Sequence, residues 1–324
     1  MEPFVFFGGK GGVGKTTVSC AYAQRCARDG HRTLVVSTDP AHSVTDVFDQ
    51  PFDDSPQPVA GIEGLDAVQI DPEDEVTRHL DEIRQNLSEQ VSAAMVNEIN
   101  RQLEMAHGTP GAYESALFDR FVDVMRNAEP YERVVFDTSP TGGTLRLLGL
   151  PELLEGWIDR LMHKRRTSID LFEKAAVGTN EPRRVMHGDP VLERLQQRKE
   201  FFEFAGSALD DDAAFFLVLN PDELSLNETE RAIDDLTEKG LDVRGLVANK
   251  LTPSPDDNEN GRGARYLRQR VETERERLET IRTDFEPPLV AEIGWRSSEI
   301  KGDLLDDVAD ELDIETAVEP PTHV

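Results

Sequence analysis

The stretch that decides the fold is Gly8-Gly9-Lys10-Gly11-Gly12-Val13-Gly14-Lys15-Thr16-Thr17, which follows the apolar run 4–7 and precedes a helix-like stretch. Its spacing matches the pattern G-x-x-x-x-G-K-T. In this pattern the glycines let backbone N–H groups turn onto phosphate oxygens, the lysine reaches the outer phosphates, and the threonine hydroxyl ligates Mg²⁺. The sequence therefore predicts a strand, a phosphate-binding loop and a helix N-terminus that together bind a nucleoside triphosphate.

Short β-branched or aromatic runs alternate with amphipathic stretches along the rest of the chain. The predicted strands are 33–37, 67–70, 133–136, 214–219, 243–248 and 289–291. This alternation predicts an α/β fold of the P-loop NTPase type, with a mostly parallel sheet flanked by helices.

Two helix-rich stretches, 74–127 and 151–209, interrupt the alternation and predict an inserted helical subdomain. The nucleotide-binding domain would then be discontinuous and comprise 1–73, 128–150 and 210–312. Residues 313–324 are acidic and contain proline, so we expect a frayed tail there.

The composition argues against some classes of partner. The chain has 324 residues, and 35 Lys+Arg against 64 Asp+Glu give a net charge of −29. Such a surface repels nucleic acids and anionic lipid headgroups. We interpret the acidity as adaptation to a high-salt cytoplasm, where salt screens the repulsion.

The N-terminus reaches the first predicted strand within four residues, which leaves no room for a signal peptide, so we expect a cytoplasmic protein. No apolar stretch approaches the roughly 18 residues that a membrane span needs. The two cysteines, Cys20 and Cys26, lie on the first predicted helix, where their spacing favours neither a disulfide framework nor a metal pair.

The run after the second strand carries a specific resemblance. Asp39-Pro40-Ala41-His42-Ser43, with Asp46, resembles switch I of the arsenical-pump and guided-entry ATPases, the latter being targeting factors for tail-anchored membrane proteins. The resemblance implies that Asp46 orients or deprotonates the attacking water and that Asp39 supports Mg²⁺ coordination. Phosphoryl transfer independently requires a positioned water and neutralised charge. Outside this run, an aspartate in so acidic a chain would be read as a surface residue.

A second run, 134–146, resembles switch II of the same family. Asp137 ends an apolar strand beside the phosphate-binding loop, which is where a second carboxylate near Mg²⁺ should lie. One departure is Gly143, which stands where the family usually carries histidine.

Lys10 marks a subclass, the deviant-loop ATPases, because an ordinary phosphate-binding loop needs no cation at that position. The resemblance implies that Lys10 crosses a dimer interface and touches the phosphates bound by the partner subunit. The alternative is that Lys10 faces solvent or pairs with one of the many carboxylates.

Asn249 follows the strand 243–248, and the asparagine at this family position hydrogen-bonds adenine. An amide offers both a donor and an acceptor to the adenine edge. An Asn-Lys pair also occurs in guanine-binding sites, but those add an aspartate where this chain has Thr252. ATP is therefore favoured over GTP.

Zinc is not expected, because the stretch 258–266 lacks the Cys-x-x-Cys pair that clamps the eukaryotic-like targeting dimers. The chain thus resembles a single-copy, archaeal-like member that pairs as a homodimer through the nucleotide, Lys10 and packed surface.

The predicted site has three groups of residues. The nucleotide ligands are Gly9, Lys10, Gly11, Gly12, Val13, Gly14, Lys15, Thr16, Thr17 and Asn249. The catalytic residues are Asp46, Lys15 and Lys10, and the Mg²⁺ ligands are Thr16, Asp39 and Asp137, the aspartates directly or through water.

The resemblance implies a Mg²⁺-dependent, homodimeric ATPase that targets or chaperones tail-anchored or other membrane-protein helices. The alternative is an arsenical-pump-type ATPase that drives or regulates a membrane anion transporter. Arsenite bound through thiolates needs clustered cysteines, which this chain lacks. A septum-positioning or DNA-partitioning switch would need a basic helix or patch, and the acidic C-terminus offers neither.

Overall fold

The computed structural model describes residues 2–38, 43–71, 73–78, 112–138, 150–175 and 189–317. Its strands are β1 Phe4–Gly8, β2 Thr33–Ser37, β3 Gln57–Pro58, β4 Leu65–Gln69, β5 Arg133–Asp137, β6 Ala213–Leu219, β7 Val243–Leu251 and β8 Leu289–Gly294. Its helices are α1 Lys15–Arg28, α2 Ser43–Phe48, α3 Ala112–Arg126, α4 Leu150–Ala175, α5 Pro190–Asp211, α6 Glu223–Thr237, α7 Arg262–Asp284 and α8 Asp303–Asp310. A further helical segment covers 73–78.

The strands form one eight-stranded sheet in the order β3-β4-β2-β5-β1-β6-β7-β8. Neighbouring strands are parallel except for β3 and β4, which are antiparallel. The predicted α/β fold with a mostly parallel sheet is confirmed, and the six predicted strands overlap observed ones. The sequence missed β3, because a two-residue edge strand that contains proline has no alternating pattern to detect.

Alternate side chains of each strand fill two separate hydrophobic cores. Phe6, Val36 and Phe136 face one core, in which α3, α5 and α7 also pack. Phe7 and Val135, their neighbours in sequence, face the other core, which α1 and α8 cover. Because successive strand residues point to opposite faces, strands buried on both sides must be apolar throughout.

The described parts of the two helix-rich stretches share the core of the sheet. Phe121 of α3 packs edge-on against Phe136 of β5, with ring centroids 5.3 Å apart. Phe118 of α3 stacks on Phe202 of α5 at 6.2 Å. The predicted division into a nucleotide-binding domain and a helical subdomain stays a prediction, and most of 74–111 lies outside the described residues.

The chain after Asp313 is bound rather than frayed as far as residue 317. Ile314 is buried against α1, and the hydroxyl of Tyr22 donates to the carbonyl of Glu315 at 2.9 Å. The fully buried guanidinium of Arg133 donates to the carbonyls of Thr316 and Ala317 at 3.0 and 3.3 Å. The expectation of a frayed tail is therefore wrong for 313–317, because this segment has a buried side chain and its carbonyls accept from a buried guanidinium.

Candidate nucleotide-binding site

The loop between β1 and α1 requires glycine at two positions. Gly9 has φ +135°, and a Cβ there would lie 2.2 Å from the carbonyl oxygen of Val218 in β6. Gly14 has φ +96°, and a Cβ there would lie 2.3 Å from Nδ2 of Asn249. Both positions combine a left-handed backbone with a contact too close for any side chain. The glycines thus let the loop lie flat on the carboxyl ends of β6 and β7.

Lys15 begins α1 and its side chain curls back under the loop. Its residue is 8% exposed, and Nζ donates to the carbonyl oxygen of Lys10 at 3.1 Å. A buried ammonium held beside backbone N–H groups at a helix N-terminus provides positive potential where phosphates bind.

The ends of β2 and β5 and the first turn of α1 meet at Asp137, the last residue of β5. The hydroxyl of Thr16 donates to Oδ2 of Asp137 at 2.7 Å, and the hydroxyl of Ser37 donates to the same oxygen at 3.0 Å. Ser37 pairs with Asp137 in the β2–β5 register. The predicted Mg²⁺ ligands Thr16 and Asp137 are therefore in direct contact.

The donor set of this cluster suits Mg²⁺, which prefers hard oxygen ligands and takes few of them from the protein. A hydroxyl and a carboxylate lie side by side, and the remaining positions would belong to phosphate and water oxygens. Among the described residues no group of three or more His, Cys, Asp or Glu could hold a metal by itself. Asp39, the third predicted ligand, lies outside the described residues, as does Gly143.

Asp46 lies on α2 and faces the same cavity as the loop. This cavity has a volume of about 600 Å³, and its lining includes Lys15, Thr16, Thr17 and Asp46. Asp46 is exposed, whereas Thr16 is buried. The exposed Asp46 and the buried Thr16 thus line one cavity, and the role of Asp46 in positioning an attacking water stays a prediction.

Lys10 does not line this cavity and points toward α6. Its Nζ lies 3.8 Å from Oε1 of Glu228, and the two side chains are 29% and 41% exposed. An ion pair this long and this exposed contributes little to stability. Within one chain, Lys10 therefore has the carboxylate pairing that the sequence left open as its alternative role.

The side chains of Asn249 and Lys250 donate hydrogen bonds to backbone carbonyls of the phosphate-binding loop. Nδ2 of Asn249 donates to the carbonyl of Val13 at 2.8 Å, and its Oδ1 accepts from the backbone N–H of Lys250 at 2.8 Å. Nζ of Lys250 donates to the carbonyl of Gly12 at 2.5 Å. Adenine recognition by Asn249 stays a prediction, since the amide already fixes the loop.

Sequence reasoning missed two contributors to this site. It considered Lys250 only as a sign of guanine binding, whereas the side chain braces the loop. It did not select Ser37, although Ser37 is the last residue of β2, which pairs with the strand that ends in Asp137. Its position at the carboxyl end of a parallel strand was the available signal.

No helix in the described part of the chain is long and apolar enough to cross a membrane.

Comparisons with known proteins bear on the family of the chain. The sequence profile of the anion-transporting ATPase (ArsA ATPase) family matches residues 2–313. A relative from Aquifex aeolicus, named for the arsenical pump-driving ATPases, is 31% identical over 302 residues, which cover 92% of this chain and 94% of the relative. The ATPase GET3 of Phaeosphaeria nodorum is 32% identical over 257 residues, covering 79% of this chain and 78% of that protein.

A third relative is longer than this chain. A protein of Halobacterium salinarum, also named for the arsenical pump-driving ATPases, is 34% identical over 309 residues, which cover 94% of this chain but 43% of the relative. The profile match covers nearly the whole chain, and the structure has both a phosphate-binding loop and the Thr16–Asp137 contact. The chain therefore belongs to the anion-transporting ATPase family and is an ATPase.

Proposed function

We propose that the chain is a Mg²⁺-dependent ATP hydrolase that works as a nucleotide-switched homodimer and carries hydrophobic helices of membrane-protein clients, tail-anchored proteins among them. The observation that carries the hydrolase is the cluster of Thr16, Ser37 and Asp137 beneath a glycine-shaped loop, with Asp46 across the cavity. These groups supply the positioning and charge neutralisation that phosphoryl transfer needs.

Each residue has a distinct task in this proposal. The backbone N–H groups of the loop and the ammonium of Lys15 bind the phosphates. Thr16 and Asp137 would hold Mg²⁺, which would neutralise charge on the phosphate oxygens. Asp46 accepts a hydrogen bond from the attacking water and orients it.

The position of Lys10 supports dimerisation. Lys10 does not line the cavity that contains Lys15, and its ammonium lies 3.8 Å from Glu228 of α6. The side chain of Lys10 is directed to Glu228 and not into the cavity of its own loop, and it is 29% exposed and therefore accessible to a second copy. We therefore assign Lys10 to the phosphates of the partner subunit.

The cysteines favour the carrier over the arsenical pump. Cys20 and Cys26, the two cysteines of the chain, are both buried and free. Burial raises the pKa of Cys26 to about 11 and raises that of Cys20 well above its usual range. Both remain thiols at neutral pH, whereas arsenite coordination requires accessible thiolates.

Two relatives of this family bear on the client. One is named ATPase GET3 and another ASNA1 homolog, and these names support the carrier. Others carry the name of arsenical pump-driving ATPases, which supports the alternative, an ATPase that drives or regulates an anion transporter.

The test is steady-state ATP hydrolysis in molar KCl with a tail-anchor peptide, a polar peptide of equal length, or arsenite. The carrier predicts that only the tail-anchor peptide changes turnover and that it co-elutes with the ATP-bound dimer. Stimulation by arsenite alone would favour the pump. A response to neither would contradict both proposed roles, and absence of any ATP turnover would contradict the hydrolase.

A further inference from the structure

The outer face of α4 carries an exposed indole beside two exposed cations. Trp157 is 53% exposed, and Arg160 and Lys164 are exposed as well. A helix turns by about 100° per residue, so these three positions fall within about 60° of one another around its axis. Ile158 and Met162 lie on the other side of the helix and are buried in the core beneath the sheet. Trp157, Arg160 and Lys164 are called the α4 strip below.

The ion pairs that α4 forms among the described residues use other side chains than the two cations of the α4 strip. Arg165 pairs with Asp189, the residue before α5, at 2.9 Å. Asp159 pairs with Lys199 of α5 at 2.9 Å. These pairs fasten α4 to the start and the body of α5. The cations of the α4 strip therefore remain available to a molecule that docks on the outer face.

The charge of this part of α4 is opposite to that of the whole chain. Between residues 156 and 168, four Lys and Arg stand against one carboxylate, whereas the chain has 35 Lys+Arg and 64 Asp+Glu. An acidic group is repelled by most of such a protein but meets positive charge at the α4 strip. In 1 M salt the screening length is about 3 Å, so long-range repulsion disappears while direct contacts with the strip remain.

The indole and the cations together indicate the chemistry of the docking molecule. An exposed indole offers apolar area, and the adjacent cations offer partners for carboxylates. Lys164 lies seven residues after Trp157, which corresponds to about 10 Å along the helix axis. The same distance, about two helical turns, would separate an apolar side chain over Trp157 from a carboxylate beside Lys164 on a docked helix. A helix that is apolar along its length and acidic just beyond one end fits this arrangement.

We propose that the α4 strip selects client helices with an acidic flank: apolar side chains cover Trp157, and the carboxylates of the flank pair with Arg160 and Lys164. The inference rests on the proposed carrier function and names the class of client that the carrier prefers. It also sets an orientation, because the acidic end of the client lies toward the C-terminal end of α4. A client with a basic flank meets like charge at the same place and is disfavoured.

The test measures the binding of three labelled peptides to the full chain with Mg·ATP by fluorescence anisotropy. The peptides share one apolar helix and end in two glutamates, two glutamines or two lysines. The glutamate flank should bind about fivefold more tightly than the glutamine flank, as expected from two partly exposed ion pairs, and the lysine flank more weakly still. The preference should become smaller in molar KCl.

Charge reversal in the strip tests the assignment directly. Arg160→Glu/Lys164→Glu should invert the order, so that the lysine flank binds most tightly. Arg160→Gln/Lys164→Gln should remove the preference without inverting it, and it keeps the test decisive if the first variant does not fold. Arg166→Glu is the matched control, because Arg166 is exposed on the same helix but lies about 180° around the axis from Trp157. This control should keep the preference for the glutamate flank.

Four outcomes would overturn the inference. Equal binding of the three peptides by the parent protein would do so and leave the carrier standing. An inversion in Arg166→Glu as large as that in Arg160→Glu/Lys164→Glu would indicate a general effect of net charge. If the double Glu variant keeps the peptide preference but loses binding to vesicles with anionic lipid, or loses self-association, the strip would belong to a membrane or to a second copy. A parent that binds none of the peptides would overturn the proposed carrier together with this inference.

Discussion

Thr16, Ser37 and Asp137 meet although Asp137 lies 121 positions after Thr16 and 100 positions after Ser37 in the chain. They meet because β1, β2 and β5 are parallel neighbours, so that their carboxyl ends lie at one edge of the sheet. The two hydroxyls donate to the same carboxylate oxygen. The carboxylate is thereby fixed in direction before Mg²⁺ or nucleotide binds.

Asp46→Asn should leave ATP affinity unchanged and lower kcat by about 10²-fold or more, because an amide orients the attacking water less well and accepts no proton. Affinity by calorimetry and single-turnover hydrolysis would measure the two effects separately. The control is Asp49→Asn, an exposed residue just after α2 whose positive φ of 51° asparagine tolerates. Normal turnover in Asp46→Asn would remove Asp46 from the mechanism.

Lys10→Ala should lower turnover at least about tenfold, as expected when a cation that stabilises the transferring phosphate is lost. Sedimentation with ATP should show less dimer. Glu228→Gln is the matched control, because it removes the contact within the chain but keeps the lysine. If the two variants lose activity equally, Lys10 acts through Glu228 and not on a partner's phosphates.

Glu274→Gln should lower the free energy of unfolding at pH 7 and make that free energy depend less on pH in the acid range. Burial raises the pKa of Glu274, but hydrogen bonds from Arg270 and from the N–H and hydroxyl of Thr252 together lower it below the ordinary 4.5. Since the unfolded chain then binds the proton more tightly, Glu274 stabilises the fold above about pH 4.5, and this stability disappears as pH falls through the lower folded pKa.

Urea unfolding between pH 3.5 and 7 would measure this effect. The control is Glu272→Gln, which removes an exposed carboxylate paired with Arg275 on the same helix. If acid lowers the free energy of unfolding of the parent protein and of Glu274→Gln equally, the stabilising role of Glu274 would be contradicted.

At the scale of elements, α3 and α5 show that a long helical stretch need not be a separate body. Both pack aromatic side chains into the core beneath β1 and β5. Periodicity predicts which helical face is apolar, but it does not say whether that face meets the sheet or another helix. The predicted subdomain boundary therefore depends on packing that the sequence pattern does not encode.

The C-terminal segment 313–317 should stabilise the whole domain. Deleting 314–324 removes the buried Ile314 and two carbonyl acceptors of the buried Arg133. The free energy of unfolding should fall by about 2–4 kcal/mol, the sum of a lost apolar side chain and unsatisfied donors. Deleting only 318–324 is the control and should cost much less, as judged by urea unfolding. Equal stability of the two truncations would contradict the binding of 313–317.

At the scale of the whole molecule, charge repulsion is the dominant electrostatic feature. A net charge of −29 opposes the compact state, and salt shortens the range of repulsion from about 10 Å at 0.1 M to about 3 Å at 1 M. Tm should therefore rise by several degrees between 0.1 and 1 M KCl, and equally in NaCl. A Tm that does not change with salt would contradict our interpretation of the acidic composition.

The sequence by itself determined the phosphate-binding loop with Thr16, the parallel α/β sheet and the place of Asp137 at a strand end, because these depend on local patterns: glycine spacing, apolar strand runs and strand ends. Asp46 was selected through the resemblance of its run to a family motif. Only the tertiary structure decided that Ser37 joins Asp137, that Lys250 braces the loop, that Thr316 and Ala317 accept from Arg133, and that Trp295 borders the nucleotide cavity. The physical reason is that each of these contacts joins residues distant in sequence, whose meeting depends on strand order and packing and not on any pattern within one segment.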